Sequence, residues 1–220
     1  SDGDNYLLLP EAKDYKRIGQ ADTGLNTGGM GAISPVPFAG KAFLDKVEKR
    51  IVQPTIEGLK KEQIPYRGFI FFGLMNKNDD PYVIEYNVRM GDPEAEVVMP
   101  RIENDFIDIL TATANKKLNE IDISVTDQTA ATVMLVSGGY PEKYEKNKAI
   151  TGLGDVAESI VFHAGTAAIE ENVVTAGGRV LSITSMGPDM NAALEKSYKN
   201  AEVVDFEKKY FRKDIGFDLK

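Results

Sequence analysis

Seven residues, Val83-Ile84-Glu85-Tyr86-Asn87-Val88-Arg89, carry side chains that could hold a metal ion beside an anion. On an extended strand successive side chains point to opposite faces. Glu85, Asn87 and Arg89 therefore share one face, and Ile84, Tyr86 and Val88 the other. A carboxylate and an amide oxygen suit a hard divalent cation, and the guanidinium fork suits a phosphate. The same pattern also describes an amphipathic edge strand with a surface ion pair, and three polar residues do not decide between the two. The strand runs on into Met90-Gly91-Asp92-Pro93-Glu94, where Asp92 reads as a helix N-cap with Pro93 at the first helical position.

A second stretch with chemical potential is Asp22-Thr23-Gly24-Leu25-Asn26-Thr27-Gly28-Gly29-Met30-Gly31, with four glycines in the eight positions from Gly24 to Gly31. Such loops can turn several N–H groups toward one anion, though a plain surface loop is the commoner outcome. No Gly-Lys-Ser/Thr follows, so this is not a Walker A loop. Two further glycine-bearing turns stand out, His163-Ala164-Gly165-Thr166 and Thr175-Ala176-Gly177-Gly178-Arg179. A lone histidine is more often structural than a ligand, and Gly177-Gly178 reads as a hairpin turn. Arg179 could reach a phosphate.

The elements that must position these residues are legible in outline. A short apolar run, Tyr6-Leu7-Leu8-Leu9, is expected to be a strand stopped by Pro10, and a start almost inside a strand suggests a piece of something longer. Phe43, Leu44, Val47 and Ile51 fall at helical spacing, with Pro54 expected to break or kink a helix over 41–61. Residues 69–75 are almost wholly apolar, as in a strand covered on both faces. The turn cluster at 76–81 then makes a hairpin that would set Glu85, Asn87 and Arg89 at a sheet centre. A helix over about 104–117 leads to a polar linker and a boundary near 120. Beyond it, short strands at about 129–137, 159–164, 167–169 and 178–184 alternate with glycine turns, followed by a helix near 190–203. The segment Phe211-Arg212-Lys213-Asp214-Ile215-Gly216 has no assignment from pattern alone.

Composition bounds the function. The chain has 220 residues, 42% hydrophobic and 27% charged, enough for one large domain or two small ones. A net charge of -8 disfavours nucleic acid and anionic membrane as partners. The absence of cysteine excludes disulfides, thiolate chemistry and Cys-ligated zinc, and the single His163 excludes a multi-histidine metal site within the chain. No apolar run is long enough to cross a bilayer, and the N-terminus has no targeting-peptide character, so the sequence reads as a soluble intracellular protein.

Taken in order, Lys13-Asp14-Tyr15-Lys16-Arg17, the glycine-rich stretch from Asp22, the run from Glu85 to Glu94, His163-Ala164-Gly165-Thr166 and the segment 211–216 resemble the glycinamide ribonucleotide synthetase family, the phosphoribosylamine–glycine ligases of the ATP-grasp superfamily. The resemblance spans essentially the whole chain but only the C-terminal half of the family's length. It implies an α+β fold. Residues 1–120 would be the C-terminal portion of an ATP-grasp domain, an antiparallel sheet with helices. Residues 121–220 would be a small β-rich, barrel-sandwich-like domain. It further implies ATP-dependent ligation of glycine to 5-phosphoribosylamine through glycyl phosphate, in the cytoplasm, as a step of purine synthesis. Mg²⁺ or Mn²⁺ would be held by Glu85 and Asn87, which with Arg89 would also bind ATP, and Arg89 and Asp22 would be catalytic. Substrate contacts would come from Asp22, Asn26, Thr27, Gly28, Gly29, Met30, Asp92, Pro93 and Glu94. More weakly, His163, Gly165, Thr166, Gly178 and Arg179 would approach phosphoribosylamine. Many ATP-grasp enzymes carry a second metal carboxylate on the neighbouring strand, and residues 69–75 offer none. The partner required is the N-terminal half, without which the chain is expected to be inactive. Another purine-pathway ATP-grasp ligase, or a non-catalytic nucleotide-binding module, are the rival readings.

Overall fold

The computed structural model describes residues 1–219. In chain order its strands are β1 (Lys13–Asp14), β2 (Arg17–Gly19), β3 (Thr23–Asn26), β4 (Gly31–Ser34), β5 (Phe71–Lys77), β6 (Asp80–Asn87), β7 (Thr129–Val136), β8 (Ile160–His163), β9 (Thr166–Ile169), β10 (Asn172–Thr175) and β11 (Arg179–Gly187). The helices are α1 (Lys41–Val47), α2 (Gln53–Lys61), α3 (Ala95–Val98), α4 (Phe106–Asn115) and α5 (Met190–Val203). They form two compact units, each drawn from several segments. One comprises Ser1–Glu11, Val36–Gly91 and Ile102–Thr126, and the other Ala12–Pro35, Asp92–Arg101 and Asp127–Lys220. The division expected near residue 120 is a division along the sequence, whereas β4 hydrogen-bonds to β7 and so belongs with the later strands.

In the first unit, α1 passes through one π-helical turn (Glu48–Val52) into α2. Pro54 was expected to break or kink this helix; it does not break it, since Val47, Glu48, Val52 and Gln53 all keep right-handed helical dihedrals, and the irregularity is the π turn just before it. A π turn widens the backbone and shifts its hydrogen bonds, which accommodates a residue that has no N–H to donate. Residues 6–9 are not a strand. They are held by side chains instead: Tyr6 Oη donates to Glu48 Oε1 (2.7 Å), and Leu7 packs with Ile109, Ala112 and Leu118. The expected hairpin is present. β5 and β6 pair antiparallel around Asn78 and Asp79, both at positive φ (55° and 60°) as a tight hairpin turn requires. It is a two-stranded sheet, so among the described residues Glu85, Asn87 and Arg89 do not lie at a sheet centre. Nor is β5 covered on both faces. The hairpin's apolar side chains stand in solvent, Ile84 at 63% and Val88 at 74% exposure.

In the second unit a five-stranded antiparallel sheet has the order β1-β4-β7-β11-β8. β7 is buried along its whole length, because its two faces serve two cores. Val133 and Leu135 join Leu181, Ile183 and Phe206 in one, while Met134 and Val136 join Tyr15, Met30, Ile33 and Leu194 in the other. α5 packs on this sheet, its N-terminus capped by Asp189, whose Oδ1 accepts from Ala192 N (2.9 Å). β9 and β10 form a separate hairpin. The Gly177-Gly178 turn therefore does not close a hairpin, because β10 pairs with β9 while β11 pairs with β7 and β8.

Candidate functional site

Each unit carries one group of the residues singled out above. On β6 a bulge precedes the polar face: Gly73 pairs with Glu85 and Leu74 with Val83, leaving Ile84 as the extra residue. Bulges re-aim the side chains that follow them. Glu85 and Asn87, opposite Gly73 and Phe71, stay on one face as expected. A Cβ at Gly73 would lie 2.8 Å from Glu85 Cγ, so glycine leaves the carboxylate its room. Arg89 donates to Met90 O (2.9 Å) and, at a long 3.4 Å, to Asn87 Oδ1. Glu85 and Arg89 are exposed and Asn87 is half-buried.

These donors suit a hard cation such as Mg²⁺. Among the described residues no group of three or more His, Asp and Glu side chains could enclose a metal. An open face with one carboxylate and one amide oxygen matches the way Mg²⁺ is usually held, through one or two carboxylates completed by water and phosphate oxygens. It does not match a closed protein cage.

The glycine-rich stretch is built differently from an anion cradle. Thr27 N donates to Lys16 O (2.8 Å), Gly28 N to Tyr140 Oη (3.0 Å), Gly29 N to Thr27 Oγ1 (3.0 Å) and Met30 N to Tyr15 O (2.8 Å). All four N–H groups thus have protein partners and none is left to turn toward an anion. Met30 is fully buried, its side chain in the core and its carbonyl accepting from Met134 N (3.0 Å). Asn26 and Gly28 remain exposed and Thr27 half-exposed.

Against this loop lies the segment 92–94. Gly29, at φ +125°, has no room for a side chain: a Cβ would meet Pro93 Cδ at 2.3 Å. Asp92 is not the helix cap that the sequence suggests. α3 starts at Ala95 after Glu94, without a side-chain cap, and the Asp92 carboxylate pairs with Arg179 Nη1 (2.9 Å). Glu94 is 7% exposed, and no donor reaches its Oε2. Burial first, and then the neighbouring Asp14 carboxylate, push Glu94 up to about 7. Burial also raises Asp14, against the pull of the Lys16 ammonium paired with it. A proton held on Glu94 would remove the like-charge repulsion with Asp14 and supply a donor between the two carboxyls.

Asp22 sits at positive φ (52°) between β2 and β3, and its Oδ1 accepts from Arg212 Nη1 (2.6 Å). Arg212 is fully buried. It also takes Asp214 in a bidentate pair (2.8 and 2.9 Å), donates to Arg17 O (3.2 Å) and lies over the rings of Tyr15 and Phe217. The unassigned 211–216 segment is thus the anchor of the β2–β3 hairpin. His163 Nδ1 and Thr166 Oγ1 close their own turn at 2.9 Å. That turn meets the 177–179 turn: Gly165 N donates to Arg179 O (2.9 Å), and a Cβ on Gly165 would lie 2.6 Å from Gly177 Cα. Asp14, Lys16, Tyr140 and Arg212 join these contacts; the first two and Arg212 lie in segments that carry the family resemblance, but the sequence assigned none of the four a role in the site. Only the charge density of 13–17 signalled the first two.

Comparison with known proteins supplies the family. Residues 1–95 match the ATP-grasp (A) domain of phosphoribosylglycinamide synthetase and residues 130–218 its C domain. A phosphoribosylamine–glycine ligase of Agrobacterium fabrum is 44% identical over 99% of this chain and 52% of its own. One of Chlorobaculum tepidum is 42% identical over 98% and 52%. The crystal structure of phosphoribosylamine–glycine ligase from Thermotoga maritima superposes with a TM-score of 0.86 at 38% identity, covering 96% of this chain and 52% of that one. The chain therefore spans about half the length of the curated relatives it matches. Among the described residues no helix is long and apolar enough to cross a membrane. Matched by both domain descriptions and by these relatives along nearly all of its residues, the chain belongs to the phosphoribosylglycinamide synthetase family.

Proposed function

We propose that the full-length protein joins glycine to 5-phosphoribosylamine using ATP, in the cytoplasm, and that these residues supply its metal-binding strand and part of its acceptor site. A carboxylate oxygen of glycine attacks the γ-phosphorus, ADP leaves and glycyl phosphate forms. The amine then attacks the acyl carbon, inorganic phosphate leaves, and loss of a proton gives glycinamide ribonucleotide. The observation that carries this reading is the naming of relatives 42–44% identical over 98–99% of the chain as phosphoribosylamine–glycine ligases.

Glu85 and Asn87 are the residues that would hold Mg²⁺ or Mn²⁺, with phosphate oxygens of ATP completing the shell. When bound, the ion neutralises charge on the transferring phosphoryl group. Arg89, exposed at the end of the same face, supplies a fixed positive charge for the same phosphates. In the other unit Asp22, Asn26, Thr27, Gly28, Gly29, Asp92, Pro93 and Glu94 would line the acceptor side, with Met30 supporting them from the core. The 163–166 and 177–178 turns would approach the phosphoribosyl group. The two sequence blocks, an ATP-grasp portion over 1–120 and a β-rich domain over 121–220, are part of the same proposal, as is the need for an N-terminal half as partner.

The test uses the full-length protein. Glu85→Ala and Asn87→Ala should each cut kcat/KM by about a hundredfold, with excess Mg²⁺ restoring part of the loss. Activity unchanged in both would remove the metal assignment. ADP formation stimulated by bicarbonate or formate in place of glycine would remove the substrate assignment.

A further inference from the structure

In the sequence Arg179 reads as a residue that could reach a phosphate, and its surroundings give it different work. Its Nη1 donates to Gly28 O (3.0 Å) and Asp92 O (3.1 Å) and pairs with Asp92 Oδ1 (2.9 Å). One nitrogen therefore bridges the main chain of the glycine-rich loop to the main chain and carboxylate of residue 92. The guanidinium also lies against the backbone of Gly28, where a Cβ would sit 2.9 Å from Arg179 Cζ and 3.0 Å from Nε. Only a residue without a side chain admits the group there. The opposite polar group of Gly28, its N–H, is taken by Tyr140 Oη (3.0 Å). The Tyr140 ring is itself seated on Gly178, where a Cβ would meet Cδ2 at 2.2 Å. The Arg179 carbonyl receives Gly165 N (2.9 Å), so the base of the side chain is fixed as well.

We infer that Arg179 is a positioning residue. It locks the 28–30 loop to the 92–94 segment, with Gly28 shaped to receive it and Tyr140 holding the loop from the other side. This rests on the reading that both segments serve the acceptor substrates. One nitrogen makes the bridge, and the rest of the planar guanidinium lies flat on Gly28; a lysine ammonium offers donors but no planar group to fill that contact and hold the nitrogen in place. Displacing one segment from the other degrades the alignment of two reactants, which steeply affects rate.

Two measurements test this. In the full-length protein, hydrogen exchange of Arg179→Lys should accelerate by about tenfold at the amides of both 28–30 and 94–96 and stay unchanged in β7 and β11. Unchanged exchange at either segment would overturn the inference, whatever reaction the protein catalyses. In the full-length enzyme, Arg179→Lys and Gly28→Ala should each raise KM for glycine and for phosphoribosylamine by about tenfold and lower kcat, leaving KM for ATP in place. The double variant should be no worse than the weaker single one, because both changes undo one contact. A rise confined to KM for the phosphorylated amine, or additive losses in the double variant, would make Arg179 a phosphate ligand instead. Should Arg179→Lys fail to fold, Gly28→Ala alone decides the exchange arm, since its backbone needs no positive φ and the three atoms nearest a Cβ there all belong to Arg179. Absence of any ligase activity would sink the proposed function and leave the exchange result standing.

Discussion

At the scale of single residues, two buried charges behave oppositely. Arg212 is fully buried yet well supplied, with Asp22, Asp214 and the Arg17 carbonyl accepting four hydrogen bonds from it. Breaking such a pair from one side leaves uncompensated carboxylates, so Arg212→Leu should cost about 3 kcal/mol in denaturant unfolding of this chain. A loss below about 1 kcal/mol would show the network to be dispensable. Glu94 is buried and undersupplied. Its proton is released near 4.5 when unfolded and near 7 when folded, so the folded state holds the extra proton between those values. Stability from this group is therefore complete below the lower value and falls as pH rises through the upper one. Glu94→Gln keeps a donor toward Asp14 at every pH. Its urea midpoint should change less than that of the unsubstituted chain between pH 5 and pH 8, with a gain at pH 8 on the order of 1 kcal/mol. Identical pH slopes would rule out the proton held on Glu94. Neither behaviour was legible in the sequence, where Arg212 lies in a segment that pattern alone leaves unassigned and Glu94 reads as first-turn helix.

At the scale of elements, local pattern served well where one element decides its own form. The β5–β6 hairpin, α5, and strands β7 and β8 fall close to where alternation and turn residues place them. Its errors came where distant segments decide. Residues 6–9 look like a strand but find side-chain partners rather than a sheet. Asp92 looks like a cap but is claimed by an arginine 87 residues away. The loop at 27–30 looks like an anion nest, but the carbonyls of Tyr15 and Lys16, the Tyr140 hydroxyl and the loop's own Thr27 hydroxyl consume its N–H groups. Of the candidate site, the Glu85–Asn87 face was legible because a strand's period of two sets it locally, whereas Arg89 lies past the end of β6, and the Asp14–Glu94 and Gly28–Arg179 contacts depend on tertiary pairing. Gly29 shows how tightly that pairing is drawn. Gly29→Ala combines an unfavourable positive φ with a Cβ 2.3 Å from Pro93, and should cost about 2 kcal/mol or more. Gly154→Ala, with open space around it, should stay within about 0.5 kcal/mol. Equal thermal midpoints for the two variants would mean that the 28–30 and 92–94 segments are free to separate.

At the scale of the whole molecule, the Glu85–Asn87 strand and the cluster of the 22–31 and 92–94 segments lie in separate compact units, and the chain spans about half the length of the phosphoribosylamine–glycine ligases it matches. The proposed chemistry requires the remainder, so the isolated 220 residues should form no ADP in the presence of ATP, Mg²⁺, glycine and phosphoribosylamine. The central claim is that the glycine carboxylate is activated as an acyl phosphate before the amine attacks. It is tested most directly by supplying the full-length protein with glycine labelled with ¹⁸O in its carboxylate and analysing the inorganic phosphate released. One labelled oxygen should appear in each phosphate, because the bridging oxygen of glycyl phosphate leaves with phosphorus. Phosphate free of label, alongside labelled amide product, would contradict it.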